Sequence, residues 1–109
     1  RGIGMDADPA EAARLYRQGC DGGNAFGCIN LGLLHERGIG MDADPAEAAR
    51  LYRLGCDGGA PNGCGYLGDL VERGEGVEPD LDAAVALYRQ GCERGSDWAC
   101  EQIERLGLD

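Results

Sequence analysis

The sequence predicts an all-α fold, an α/α solenoid of three 36-residue helix-turn-helix repeats with six helices in all. Three observations predict it. Shifting the chain by 36 residues lays Arg1–Arg17 on Arg37–Arg53 without a change. Helix start and stop signals recur at the same place in each unit. Six cysteines fall in three pairs, each separated by eight residues. A fixed period of this length marks stacked supersecondary units, none of which can bury its apolar face alone.

The units run 1–36, 37–72 and 73–109, a single repeat domain over the 109 residues. The first two agree at 28 of 36 positions. The third is looser but stays in frame through Arg73-Gly74, Gly76, Asp80, Ala84, Leu87-Tyr88-Arg89, Gly91-Cys92, Gly95 and Cys100.

The first helix of a unit begins at Asp8-Pro9-Ala10-Glu11. Asp supplies the N-cap, Pro occupies the first helical position where no amide hydrogen is needed, and Glu follows three residues after the cap. Ala12, Leu15, Tyr16, Gly19 and Cys20 then recur at helical spacing, with Arg14, Arg17 and Asp21 on the wet side. Gly22-Gly23 ends the helix. Asn24 caps a second helix that carries Cys28, Leu31 and Leu34 inward and stops at Gly38. The second copy starts this helix with Ala60-Pro61 and stops at Gly74; the third starts at Ser96. The links Gly38-Ile39-Gly40 and Gly74-Glu75-Gly76 contain a GxG pair. With no third glycine and no preceding strand they read as turns at positive φ, not as phosphate cradles.

In each of the pairs Cys20/Cys28, Cys56/Cys64 and Cys92/Cys100, one cysteine lies on the last turn of a first helix and the other on the first turn of a second. The intervening glycines fold the chain back, so the side chains can approach to bonding distance. Six cysteines allow fifteen pairings, and the repeat symmetry favours the local one. Closing a nine-residue loop is worth roughly 2.5 kcal/mol on the chain-entropy model. Free buried thiols packing as small apolar residues are the alternative. Zinc needs a four-ligand set with CxxC-type spacing, which is missing, and no cofactor or metal is expected. Persistent disulfides imply an oxidising compartment, secreted or periplasmic.

Composition limits the function classes. The net charge is −10, and the ten basic residues are all Arg. Such acidity argues against a nucleic-acid partner, because phosphates reward clustered cations. No apolar run approaches the roughly 20 residues of a membrane span. The chain starts at Arg1 without an initiator Met, so its lack of a signal segment says little about its export.

The string Cys28-x-x-Leu31-Gly32-x-x-His35-x-x-Gly38-x-Gly40-x-x-x-Asp44-x-x-x-Ala48-x-x-x-Tyr52-x-x-Gly55-Cys56 resembles the Sel-one-like repeat (SLR) family, which is related to the tetratricopeptide repeat. The eight-spaced cysteines resemble its disulfide-bearing branch, the secreted Helicobacter cysteine-rich proteins. Two departures stand out: His35 and Val71 occupy a slot that the family gives to Tyr, and Glu104 replaces the helix glycine. The resemblance implies a right-handed superhelix acting as a protein–protein scaffold or adaptor through its concave face. In the family frame the second helices line that face. It would present Phe26, Ile29, Leu33, Glu36 and Arg37 from the first unit, Asn62, Gly65, Asp69, Glu72 and Arg73 from the second, and Trp98 and Glu101 from the third.

The two near-identical units point to the same helix. Seven of their eight differences fall between positions 24 and 35, and only Gln18 against Leu54 lies outside. One helix is held constant while the other varies, as when one builds the stack and the other presents a surface. Ile29 has two readings, surface stripe or core, and Trp98 also has two, binding anchor or seal for the end of the stack. A purely architectural repeat without a ligand is the alternative to a binding module.

The two ends differ. Glu104 and Arg105, standing where Gly68 and Asp69 do, read as a polar cap. The first helix has no such adaptation, and Arg1–Asp6 repeats an inter-unit loop. The expectation is therefore the C-terminal part of a longer array, with self-association through the uncapped N-terminal end.

Some cysteine-rich relatives are linked to penicillin binding or weak β-lactamase activity. A serine β-lactamase needs a Ser-x-x-Lys pair. This chain has one Ser, Ser96, at a helix cap, and no Lys. Its single His, His35, falls in a packing slot, so no catalytic residue is assigned and a non-enzymatic role is expected.

Overall fold

The fold is given by a computed structural model, which describes residues 8–108; the reading of Arg1–Asp6 as an inter-unit loop lies outside the described residues. Six helices follow in order: α1 Pro9–Asp21, α2 Ala25–Arg37, α3 Pro45–Asp57, α4 Pro61–Arg73, α5 Leu81–Glu93 and α6 Asp97–Arg105. Each packs on its sequence neighbours, giving an elongated stack of 45 × 25 × 25 Å.

The caps form as the sequence predicts. The Asp8 carboxylate accepts from the Ala10 and Glu11 amides, Asp44 from Glu47, and Asp80 from Ala83. Asn24 and Ser96 cap α2 and α6 in the same way. Ala60 makes no side-chain cap bond, and Pro61 at the first position removes one of the amide hydrogens a cap would serve. Helices α2 and α4 end at Gly38 and Gly74, both left-handed at φ 69°. Helix α6 is shorter than expected, at nine residues. Gly107, at φ 73°, stands where His35 and Val71 lie inside α2 and α4, and it ends the last helix early.

The stack is held by one repeated device. The Tyr52 ring on α3 lies against Gly32 of α2, where an added Cβ would come within 2.7 Å of it. Its hydroxyl donates to Glu36 Oε1 at 2.6 Å. One repeat on, Tyr88 lies against Gly68 and donates to Glu72 at 2.6 Å. Both tyrosines are fully buried. Each socket needs a glycine for the ring and, four residues later, a carboxylate for the hydroxyl. Within a hairpin, Gly63 lets α4 cross α3 closely, since a Cβ there would lie 2.7 Å from the Cys56 nitrogen.

The placement of Ile29 on the exposed face is corrected. It is 5% exposed, and its side chain fills the space above Gly55, where a Cβ would meet Ile29 Cγ1 at 2.6 Å. The absence of a Cβ on α3 draws the residue inward, and Ile29 belongs to the core.

Helices α1 and α3 differ at one residue yet are covered differently. Leu51 is 1% exposed and Leu15 is 50% exposed, because α3 packs between α2 and α4 whereas α1, among the described residues, packs mainly on α2.

Burial, together with the neighbouring carboxylates, pushes the Tyr52 and Tyr88 phenols well above their ordinary range. A pKa raised by folding contributes stability in full below the unfolded value, roughly 10, and that stability is lost as pH rises towards the folded value. The melting temperature is therefore expected to fall above about pH 10. The fall should be shallower in a Tyr52→Phe, Tyr88→Phe variant, as circular dichroism melts across pH 8–12 would show.

Candidate functional site

A groove of about 330 Å³ crosses the second helices of the three hairpins. Leu33, Glu36 and Arg37 of α2, Asn62, Tyr66 and Asp69 of α4, and Trp98 of α6 line it. All seven stand on second helices, because the first helices carry the tyrosines and alanines that lock the stack from the other side.

The aromatic wall follows from glycine spacing. Trp98 rests over Gly65, where a Cβ would lie 3.1 Å from its ring. Its ring meets Tyr66 edge-on at 5.5 Å between centroids and Tyr88 at 6.0 Å. Trp98 thus joins the end of the stack to the groove. Tyr66 was not among the sequence-selected residues. The signal was present, since Asn30→Tyr66 is one of the seven changes in the variable helix, but the assumed helical phase selected Gly65 instead.

The polar wall is an ion-pair network. Arg73 donates to Asp69 at 2.6 Å and to Glu36 at 3.0 Å, and it reaches Glu75 at 3.1 Å. These partners hold the guanidinium well above its ordinary range, Asp69 contributing most. Glu72 faces the next unit, accepting from Arg105 and from Tyr88, each at 2.6 Å. Arg105 first and Tyr88 second keep its carboxyl below the usual carboxylate value. Asn62 accepts from the buried Ser96 hydroxyl at 2.7 Å.

The remaining candidates are placed as follows. Phe26 is 64% exposed but does not line the groove. Glu101 is exposed, also outside the groove lining. Glu72 and Arg73 brace the groove through the ion pairs above.

Disulfides join Cys20 to Cys28, Cys56 to Cys64 and Cys92 to Cys100, and no free cysteine remains among the described residues. The middle pair is fully buried, and the outer two are partly accessible. Arg94 stands where Gly22 and Gly58 do in the earlier units. It reaches back to the Cys56 carbonyl at 2.7 Å and lies 3.6 Å from Cys64 Sγ, covering the middle bond. Ser96 is committed to Asn62 and to the Ala99 amide. Both ring nitrogens of His35 are buried without a hydrogen-bond partner among the described residues, so the two do not form a nucleophile–base pair.

These features define an α-helical repeat protein whose hairpins are each stapled by a disulfide. The chain belongs to the Sel1 repeat family, whose family model matches residues 1–24, 25–59 and 61–96. The matches 25–59 and 61–96 each pair a second helix with the following first helix, so the Cys20–Cys28 and Cys56–Cys64 disulfides cross from one matched unit to the next. No curated protein sequence gives a significant match. Among solved structures, Helicobacter pylori cysteine rich protein B superposes with a TM-score of 0.83 at 27% identity, over 89% of this chain and 73% of that one. A Sel1 repeat protein from Oxalobacter formigenes gives 0.82 at 30% identity, over 88% of this chain and 39% of that one. An SLR-fold protective antigen present in uropathogenic Escherichia coli strains gives 0.77 at 29% identity, over 88% of this chain and 21% of its own. Sel1-repeat proteins act as protein-interaction scaffolds.

Proposed function

We propose that this chain is a non-enzymatic scaffold that holds an extended peptide or loop of a partner protein along the groove of its second helices. One observation carries the reading: the differences between two otherwise duplicated units collect in the helices that line the groove, and they put Leu33 opposite Asp69 and Asn30 opposite Tyr66 in the repeat frame. The groove combines aromatic anchors with satisfied ion pairs, the composition that binding hot spots favour.

The three disulfides and the likeness to a Helicobacter cysteine-rich protein support a location outside the cytoplasm, secreted or periplasmic. No helix among the described residues is long and apolar enough to cross a membrane. The uncovered face of α1, equivalent in sequence to a face that α3 buries, supports the reading of a longer array in which another hairpin packs there.

Selection of peptides from a displayed random library, followed by fluorescence polarisation, tests the proposal. Trp98→Ala is expected to weaken selected peptides by about thirtyfold, the size of a typical hot spot near 2 kcal/mol. Phe26→Ala, outside the groove, should leave them unchanged. Binders indifferent to Trp98, or none at all, would favour a purely architectural role.

A further inference from the structure

Arg37 and Arg73 occupy the same place in successive units, at the last residue of α2 and of α4. Arg73 is saturated, with Asp69, Glu36 and Glu75 around it. Two of these three carboxylates have no counterpart around Arg37: Leu33 stands for Asp69 and Ile39 for Glu75. Among the described residues it makes no ion pair or hydrogen bond, and it is exposed at the edge of the groove. The second copy of the position thus keeps the guanidinium while two of the carboxylates around it differ between the units.

We infer that the groove selects a peptide carrying a carboxylate, which Arg37 receives, beside a bulky apolar side chain that lies against Tyr66 and Trp98. This rests on the groove being the binding face. The carboxylate is the complement of a planar guanidinium fork, which can accept two parallel bonds from it. Asn62 adds to the site: its carbonyl oxygen is taken by Ser96, which leaves its amide hydrogens to donate to a peptide carbonyl or carboxylate.

The net charge of −10 favours a cationic partner for the surface at large, but the carboxylates at the groove already hold donors. Glu36 already accepts from Tyr52 and Arg73, and Asp69 already holds Arg73 at 2.6 Å. A lysine entering the groove would compete with Arg73 for these carboxylates. Carboxylates elsewhere on the surface are screened beyond a Debye length of about 8 Å, whereas Arg37 acts at contact. Among the charged residues that line the groove, Arg37 is the one without an ion-pair or hydrogen-bond partner among the described residues.

A carboxylate can come from an Asp or Glu side chain or from a chain terminus, and two arms separate the sources: one displayed library with free C-termini and one with blocked C-termini. Wild-type protein is expected to enrich acids within a few residues of an aromatic or large aliphatic residue in the blocked library, or free-terminus binders only in the other. Arg37→Gln should weaken the best synthetic peptide by roughly tenfold or more, the scale of a charge-assisted bond. Replacing the peptide's acid by its amide should cost the same on wild type and almost nothing on Arg37→Gln. Arg37→Glu should turn the selection towards basic peptides. Binders that depend on Trp98 but carry no acid, and are unmoved by Arg37→Gln, overturn the carboxylate inference and leave the groove as the binding face. Absence of any Trp98-dependent binder overturns both. Arg37 is exposed, so its variants should keep the wild-type circular dichroism spectrum and melting temperature, a check that separates recognition from folding.

Discussion

Reduction of all three disulfides is expected to unfold the protein at room temperature or bring it to the edge of unfolding. Each bond closes a nine-residue loop, so each removes roughly 2.5 kcal/mol of chain entropy from the unfolded state. Three together come to about 7.5 kcal/mol, a large part of the roughly 5–15 kcal/mol by which domains are stable. The core gives little reserve, because much of it is alanine, glycine and cysteine. The bonds should not open together. Cys56 and Cys64 are about 1% and 0% exposed beneath Arg94, while Cys20, Cys92 and Cys100 are partly accessible. Alkylation and mass spectrometry during a dithiothreitol titration should show the outer pairs reduced first and the middle pair last, coincident with loss of helical signal. Equal rates for the three pairs would contradict the burial, and undiminished helicity after complete reduction would contradict the energetics.

Tyr52→Ala is expected to cost about 3–5 kcal/mol, the range for deleting a buried aromatic ring. The ring is wholly buried against Gly32, and its removal empties a socket between two hairpins and strips the hydroxyl from Glu36. The chain contains its own control. Tyr16 sits in α1, whose sequence matches α3 at all but one position, yet no residue of α1 is fully buried. Tyr16→Ala should therefore cost less than half as much. Guanidinium titrations of the three proteins, with unchanged slopes, would measure the difference. Equal losses would mean that Tyr52 acts within its helix and not as the link between hairpins.

Much of this was readable before any coordinates. The 36-residue period, the Asp-Pro and Gly signals and the eight-spaced cysteines specify the helices because each is a local backbone event. The caps at Asp8, Asp44 and Asp80 and the turns at Gly38 and Gly74 depend on the residue itself and its neighbours. Contacts between units were harder to see. Ile29 fits either a surface stripe or the core on a helical wheel, and only the missing side chain at Gly55, 26 residues away, shows why it turns inward. Tyr66 was overlooked for the same reason: the helix phase was set from one helix, whereas Trp98 on another helix fixes which residues reach the groove. The early end of α6 followed from a glycine at position 107 that shares no register with Gly38 and Gly74. The saturation of Arg73, and the isolation of Arg37 that it exposes, rest on distances between α2 and α4 that no single unit encodes.

The staples also decide how the molecule answers a protease. A cut anywhere between Cys20 and Cys28, or in the two matching bends, leaves both fragments tied together by sulfur. A cut in the links after Gly38 or Gly74 has no such tie and divides the polypeptide. The bends are thus tolerant of nicking, and the exposed links around Ile39 and Glu75 are the places where one break is enough to part the chain.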